Sequence, residues 1–186
     1  YSWKMDVTNR QYALDLDAKD PLAKFRDEFV INDPEICYLD GNSLGRLPKR
    51  TIKVINDYLI NDWGAKVVEG WSDWIEEPFA TGDLLGRTTL GAAAGQVLVS
   101  DTTSVNFYQL AGAALAARPD RKTIIIDAAN FPTDRYILQG YAKERGLNLV
   151  IINNSDPAIS QHERITPEIL EKYMSDDVAF VTFEVI

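Results

Sequence analysis

Thr123-Ile124-Ile125-Ile126-Asp127-Ala128-Ala129-Asn130-Phe131-Pro132-Thr133-Asp134 passes from an apolar run into a polar loop, and then into a segment of helical character. Three isoleucines in a row, with no polar position between them, suit a strand covered on both faces. The helix runs over 133–145 and Gly146 ends it, after which 147–152 repeats the apolar run. Outward from this unit the alternation continues. Residues 96–99 read as a strand and 104–117 as a helix before it; 166–173 read as a helix and 178–184 as a strand after it. Strand and helix in strict turn imply right-handed crossovers and a doubly wound, mainly parallel α/β sheet.

Upstream the pattern is helical. Thr8 suits an N-cap, and Asp20-Pro21 suits the start of a further helix. Pro48 opens a long helical segment whose Ile52, Ile55, Tyr58, Leu59 and Trp63 fall on one face, with Gly70 at its end. A second segment runs from Pro78 through Leu84, Leu85 and Leu90 to Gly95. The expected organisation is an N-terminal helical part over 1–95 and the first part of a larger α/β domain over 96–186. The final strand reaches Ile186 with no turn after it, so the polypeptide is expected to continue.

Composition narrows the class. The chain has 186 residues, 46% apolar and 25% charged, as in a soluble globular protein. A net charge of −9 argues against a nucleic-acid partner, whose phosphates it would repel. Cys37 is the sole cysteine, which excludes an intrachain disulfide; at the start of an apolar stretch it reads as a buried thiol. No apolar run is long enough to span a bilayer and no signal-peptide layout opens the chain, so a cytoplasmic protein is expected. His162 stands alone and no histidine or cysteine cluster accompanies it, so no metal site is expected. Asn153-Asn154-Ser155 matches a glycosylation pattern, which has no meaning in a cytoplasmic chain.

Ligands of a doubly wound sheet bind where strands end and loops enter helices. Two such loops carry chemistry. Ser100-Asp101-Thr102-Thr103-Ser104-Val105-Asn106 sets hydroxyls beside the free amides of a helix start, an arrangement that serves a phosphate or plain capping. In the second, Phe131 is either stapled onto the following helix or stacked on a flat cofactor, with Thr133 able to cap and Asp134 nearby. A third feature is Tyr38-Leu39-Asp40-Gly41-Asn42-Ser43-Leu44-Gly45, a short strand opening into a polar turn bracketed by glycines. A phosphate site and an aromatic face on one rim suit pyridoxal phosphate.

With these segments together, and with Trp71-Ser72-Asp73-Trp74, the chain resembles the N-terminal portion of the kynureninases, pyridoxal-phosphate enzymes of the fold-type-I aminotransferase-like family. The resemblance implies that Thr103 and Ser104 hold the cofactor phosphate and that Phe131 stacks on its ring. Pro132, Thr133 and Asp134 complete the cofactor segment. Asn42 and Ser43 then face the substrate and Trp71 lies against its aromatic ring. At Phe183-Glu184, where the family has a small hydroxyl residue, this chain departs from the pattern and no contact is carried over.

The implied reaction is hydrolysis of L-kynurenine or 3-hydroxykynurenine to anthranilate or 3-hydroxyanthranilate and alanine, in tryptophan degradation, by a homodimer. None of Lys49, Lys53, Lys66, Lys122, Lys143 and Lys172 suits the Schiff-base lysine, which is expected downstream, so no catalytic residue is assigned here. Two other readings stand beside this one. The first is a different fold-type-I enzyme, a cysteine desulfurase or aminotransferase relative. The second is a non-catalytic binding or dimerisation domain.

Overall fold

A computed structural model describes residues 7–153 and 165–184. His162, Asn154 and Ser155 lie outside them. The chain forms two compact units, Tyr1–Glu77 and Pro78–Ile186. Residues 78–95 therefore group with the sheet and not with the helices before them.

The second unit is a mixed α/β structure around a parallel three-stranded sheet, β1 (Thr123–Asp127), β2 (Asn148–Ile152) and β3 (Val178–Thr182), in the order β2-β1-β3. The pairing of β1 with β2 runs from Thr123 opposite Asn148 to Asp127 opposite Ile152, and the pairing with β3 ends at Ile126 opposite Thr182. Two helices of this unit are α5 (Thr103–Ala117) and α6 (Pro132–Arg145), and a third, α7 (Pro167–Glu171), joins β2 to β3. Because the chain steps from β1 to β2 and then back across β1 to β3, right-handed crossovers put α6 and α7 on opposite faces. Packing agrees. Ile124 and Ile126 sit against Ala111 and Leu115 of α5 and Leu138 and Tyr141 of α6. Ile125 faces the other way, with Ile152, Val178 and Leu170. All three isoleucines are fully buried, each worth about 1.5–3 kcal/mol of apolar burial, which is why the run contains no polar residue.

The amino ends of the strands are tied together by Asp177. Its carboxylate accepts from the Lys122 amide at 3.0 Å and from the Thr123 hydroxyl at 2.6 Å. Gly146 ends α6 in the left-handed conformation, φ 64°, with its amide on the Ala142 carbonyl.

Two expected strands are absent. Residues 96–99 pair with no strand: the Val99 amide is taken by the Pro78 carbonyl, and Val97 abuts α4 (Glu77–Leu85) at Gly82. Tyr38-Leu39 likewise joins no ladder. The last strand stops at Thr182, not 184; its pairing with β1 ends at Ile126, and Asp127 pairs only with Ile152 of β2.

In the first unit, α1 (Arg10–Asp17) is capped by Asn9, whose side chain accepts from the Gln11 amide. Asp20 accepts from the Leu22 amide ahead of a short 3-10 turn, Ala23–Glu28, in place of a full helix. The long helix expected from Pro48 is divided into α2 (Lys49–Asp57), a π-helical stretch Tyr58–Gly64 and a 3-10 turn Val67–Gly70. Val67 takes a left-handed φ of 49° there, costly for a β-branched residue, and marks the break. Gly70 does not end the helical region; α3 (Trp71–Trp74) begins directly after it. Ile52, Ile55, Leu59 and Trp63 remain exposed, and every buried apolar side chain among the described residues belongs to the second unit.

Candidate functional site

The carboxyl end of β1 carries the site. The chain leaves β1 over the face of α6 to reach β2 and returns over the face of α7 to reach β3, so the carboxyl ends of β1 and β3 border the topological switch point. At its edge the first turns of α5 and α6 meet, with the Ser104 and Thr133 hydroxyls 3.5 Å apart. Across it the Ser104 hydroxyl donates to Thr133 at the long limit of a hydrogen bond, which leaves the Thr133 hydroxyl proton available to a third group.

The α5 start is built locally. Asp101 turns the chain with a left-handed φ of 33° and accepts from the Thr102 amide at 3.2 Å. Thr102 is the N-cap and accepts from the Val105 amide, while the Asn106 side chain donates to the Ser100 carbonyl at 2.8 Å. Thr103 and Ser104 fall at the first two helical positions, and their amides have no partner among the described residues. In α6, Phe131 is the N-cap and Pro132 follows, so Thr133 does not cap as expected; it stands second, its amide also unpartnered among the described residues. Three unpartnered amides and two hydroxyls thus stand in the first turns of two helices that meet. Such a cradle takes an anion.

Beside it, Phe131 is 57% exposed. More than half of its surface therefore stands open at the rim. Asp134, half-buried in the first turn of α6, has its carboxyl pushed above the usual carboxylate range by desolvation. Sequence reasoning did not single out Asp127 and Asn130. Both are buried, 8% and 5% exposed, and the Asn130 amide donates to the Asp127 carboxylate at 2.9 Å. The Asn130 carbonyl oxygen is buried with no partner. An Asp closing an apolar strand with Asn three residues on was the available signal. These features fit pyridoxal phosphate: a cradle for its phosphate, a flat face for its ring, and polar groups lacking partners beside both.

The substrate residues implied by the resemblance belong to the first unit. Ser43 donates to the Asp40 carboxylate at 2.7 Å, and the Tyr38 hydroxyl donates to the Leu44 carbonyl at 2.6 Å, so the turn is held by its own side chains. Asn42 is exposed at its tip, and Trp71 is 62% exposed. Cys37 is exposed, not buried, because the segment around it pairs with no strand. A cavity of about 520 Å³ in the same unit is lined by Val54, Ile55, Tyr58, Asp62, Lys66 and Trp74, among others, and includes none of the substrate residues. Lys66 lies between Asp62 at 2.7 Å and Asp73 at 2.8 Å; its hydrogen bonds to these carboxylates raise its pKa well above the ordinary lysine range. Held as an ammonium, it is unsuited to act as a nucleophilic amine. Among the described residues no helix is long and apolar enough to cross a membrane, and no group of acidic, histidine or cysteine side chains could hold a metal.

Fold and site together define a mixed α/β unit with a parallel sheet, in which hydroxyls and unpartnered amides of two helix starts meet near the carboxyl end of the central strand. Among curated proteins, the kynureninase of Pseudomonas fluorescens is 34% identical over 94% of this chain and 41% of its own length. That of Deinococcus radiodurans is 41% identical over 70% of this chain and 33% of its own, and that of Burkholderia pseudomallei 36% over 82% and 38%. The chain is therefore homologous to kynureninases over most of its residues at moderate identity, and it spans about two fifths of the length of these relatives. No family model matches it.

Proposed function

We propose that the protein is a pyridoxal-phosphate-dependent kynureninase, hydrolysing L-kynurenine or its 3-hydroxy form to the corresponding anthranilate and alanine. The observation that carries this reading is the meeting of two helix starts through the Ser104 and Thr133 hydroxyls, with the Thr103, Ser104 and Thr133 amides unpartnered among the described residues. Homology to kynureninases supports reading this cradle as the phosphate side of a cofactor site.

In this reading Thr103, Ser104 and Thr133 hold the phosphate, and Phe131, set by Pro132, stacks on the ring. Asp134 supplies a carboxyl that is costly to ionise until a donor reaches it. The cofactor, once bound, supplies an electron sink for the pair released when the substrate Cβ–Cγ bond breaks. Asn42 and Ser43 hydrogen-bond the substrate, and Trp71 offers its ring to the aryl group. The lysine that carries the cofactor is not among the described residues, where Lys66 is committed to two carboxylates. The protein acts as a homodimer in the cytoplasm.

The test is turnover by the full-length protein. L-Kynurenine or 3-hydroxykynurenine should yield the fluorescent anthranilate together with alanine, while cysteine should not be desulfurised. Failure to cleave either kynurenine, or preferential reaction with cysteine or alanine, would overturn the proposal.

A further inference from the structure

The helix that carries Phe131 begins without a side-chain cap. Its N-cap is Phe131 itself, which has no acceptor, and Pro132 fixes only the backbone angle that follows. Something else must set the direction in which the ring leaves the sheet. The candidates are the groups between β1 and α6, and two of them are buried and bonded to each other. Asp127 is the last residue of β1 and is anchored to β2: it pairs with Ile152, and the next amide, Ala128, donates to the Ile152 carbonyl at 2.8 Å. Asn130 immediately precedes the ring. Its side-chain amide donates to the Asp127 carboxylate at 2.9 Å, and its backbone amide donates to the Asp127 carbonyl at 3.3 Å. The loop is therefore closed twice over the same two residues.

A carboxylate accepts only, so the nitrogen of the Asn130 amide must face Asp127 and its oxygen must face away. That oxygen is buried and without a partner, a state that costs stability unless a donor arrives. A loop needing only closure would be as well served by an exposed Asx turn. Burial of both partners, with one acceptor left open beside the cofactor segment, is the signature of a pair kept for the bound state.

We propose that Asp127 and Asn130 are positioning residues that aim the Phe131 ring at the cofactor. Neither needs to touch the reacting atoms. This inference rests on the pyridoxal-phosphate reading above.

The experiment is a double-mutant cycle on the full-length protein, read as pyridoxal-phosphate dissociation constant and as the visible circular dichroism of the bound cofactor. Asn130→Ala should weaken cofactor binding about 10- to 100-fold, the worth of one hydrogen bond to a charged group, and change the dichroism. Phe131→Leu should do likewise. If Asn130 acts through the ring, the double variant is no weaker than Phe131→Leu alone. Additive losses would overturn the positioning role, since a loop weakened only in stability has no reason to couple to the ring. Asp127→Asn keeps an acceptor for the Asn130 amide and should fall between wild type and Asn130→Ala; it decides the matter if Asn130→Ala does not fold. Wild-type protein that binds no pyridoxal phosphate would overturn both this inference and the reading beneath it. Wild-type binding with unchanged affinity and dichroism in Asn130→Ala would overturn this inference alone.

Discussion

Replacing Gly82 by alanine sets a methyl group 2.1 Å from the Val97 carbonyl oxygen, 2.7 Å from its carbon and 3.2 Å from the Leu98 Cα. All three are backbone atoms, so no side chain can swing aside. Helix α4 and the 96–99 segment must separate, an overpacking that costs about 1–3 kcal/mol or more. Against this stands the gain of about 1 kcal/mol when alanine replaces glycine inside a helix. The net expectation is a loss of about 0–2 kcal/mol or more by the same reckoning. Gly140 in α6 provides the contrast: a Cβ there meets nothing within 4 Å, so Gly140→Ala should stabilise by about 0.5–1 kcal/mol. Urea unfolding of the full-length protein, with unchanged slope, reads both. Because 96–99 leads into the Asp101–Ser104 loop, Gly82→Ala should also weaken phosphate binding. Equal stability of the two variants would refute the contact between α4 and Val97.

The Asp177 clamp should be worth about 1–3 kcal/mol, since Asp177→Ala leaves the Thr123 hydroxyl without its acceptor and the Lys122 amide with the residue-177 backbone carbonyl alone; urea midpoints measure it. Asp134 has a folded-state pKa above its ordinary 3.8, so folding favours its protonated form. That advantage is complete below pH 3.8 and is lost as pH rises through the folded value. Cofactor-free Asp134→Asn should therefore be more stable than wild type at neutral pH, with the difference vanishing in acid, as thermal melts across pH would record. Ser43→Ala, which removes the hydroxyl bonded to Asp40, should slow kynurenine turnover and leave cofactor affinity unchanged.

Much of the second unit was legible because its elements obey one local rule each. Three isoleucines in a row could only be a doubly covered strand, and Gly146 marked the end of α6. The 96–99 run misled because its apolar residues are used against α4, and apolar character alone does not say whether a backbone pairs. The first unit was less legible for a related reason. Ile52, Ile55, Leu59 and Trp63 have helical spacing, but spacing describes a face without saying what covers it, and it cannot register the break at Val67. At the site, Thr103, Ser104 and Thr133 were visible as hydroxyls at helix starts. Their free amides were not, since those depend on where each helix begins. Asp127 and Asn130 escaped because a polar pair at the end of an apolar strand reads as an ordinary turn until its burial is known.

The phosphate cradle is tested most directly by Ser104→Asp in the full-length protein. An acidic residue in the first turn of α5 suits the helix dipole by about 0.3–1 kcal/mol, so the variant should fold at least as well as wild type. It also sets a carboxylate where the cofactor phosphate would lie. The expected result is a stable protein that no longer retains pyridoxal phosphate or its visible absorbance. Retention equal to wild type would contradict the placement of the cofactor at the paired starts of α5 and α6.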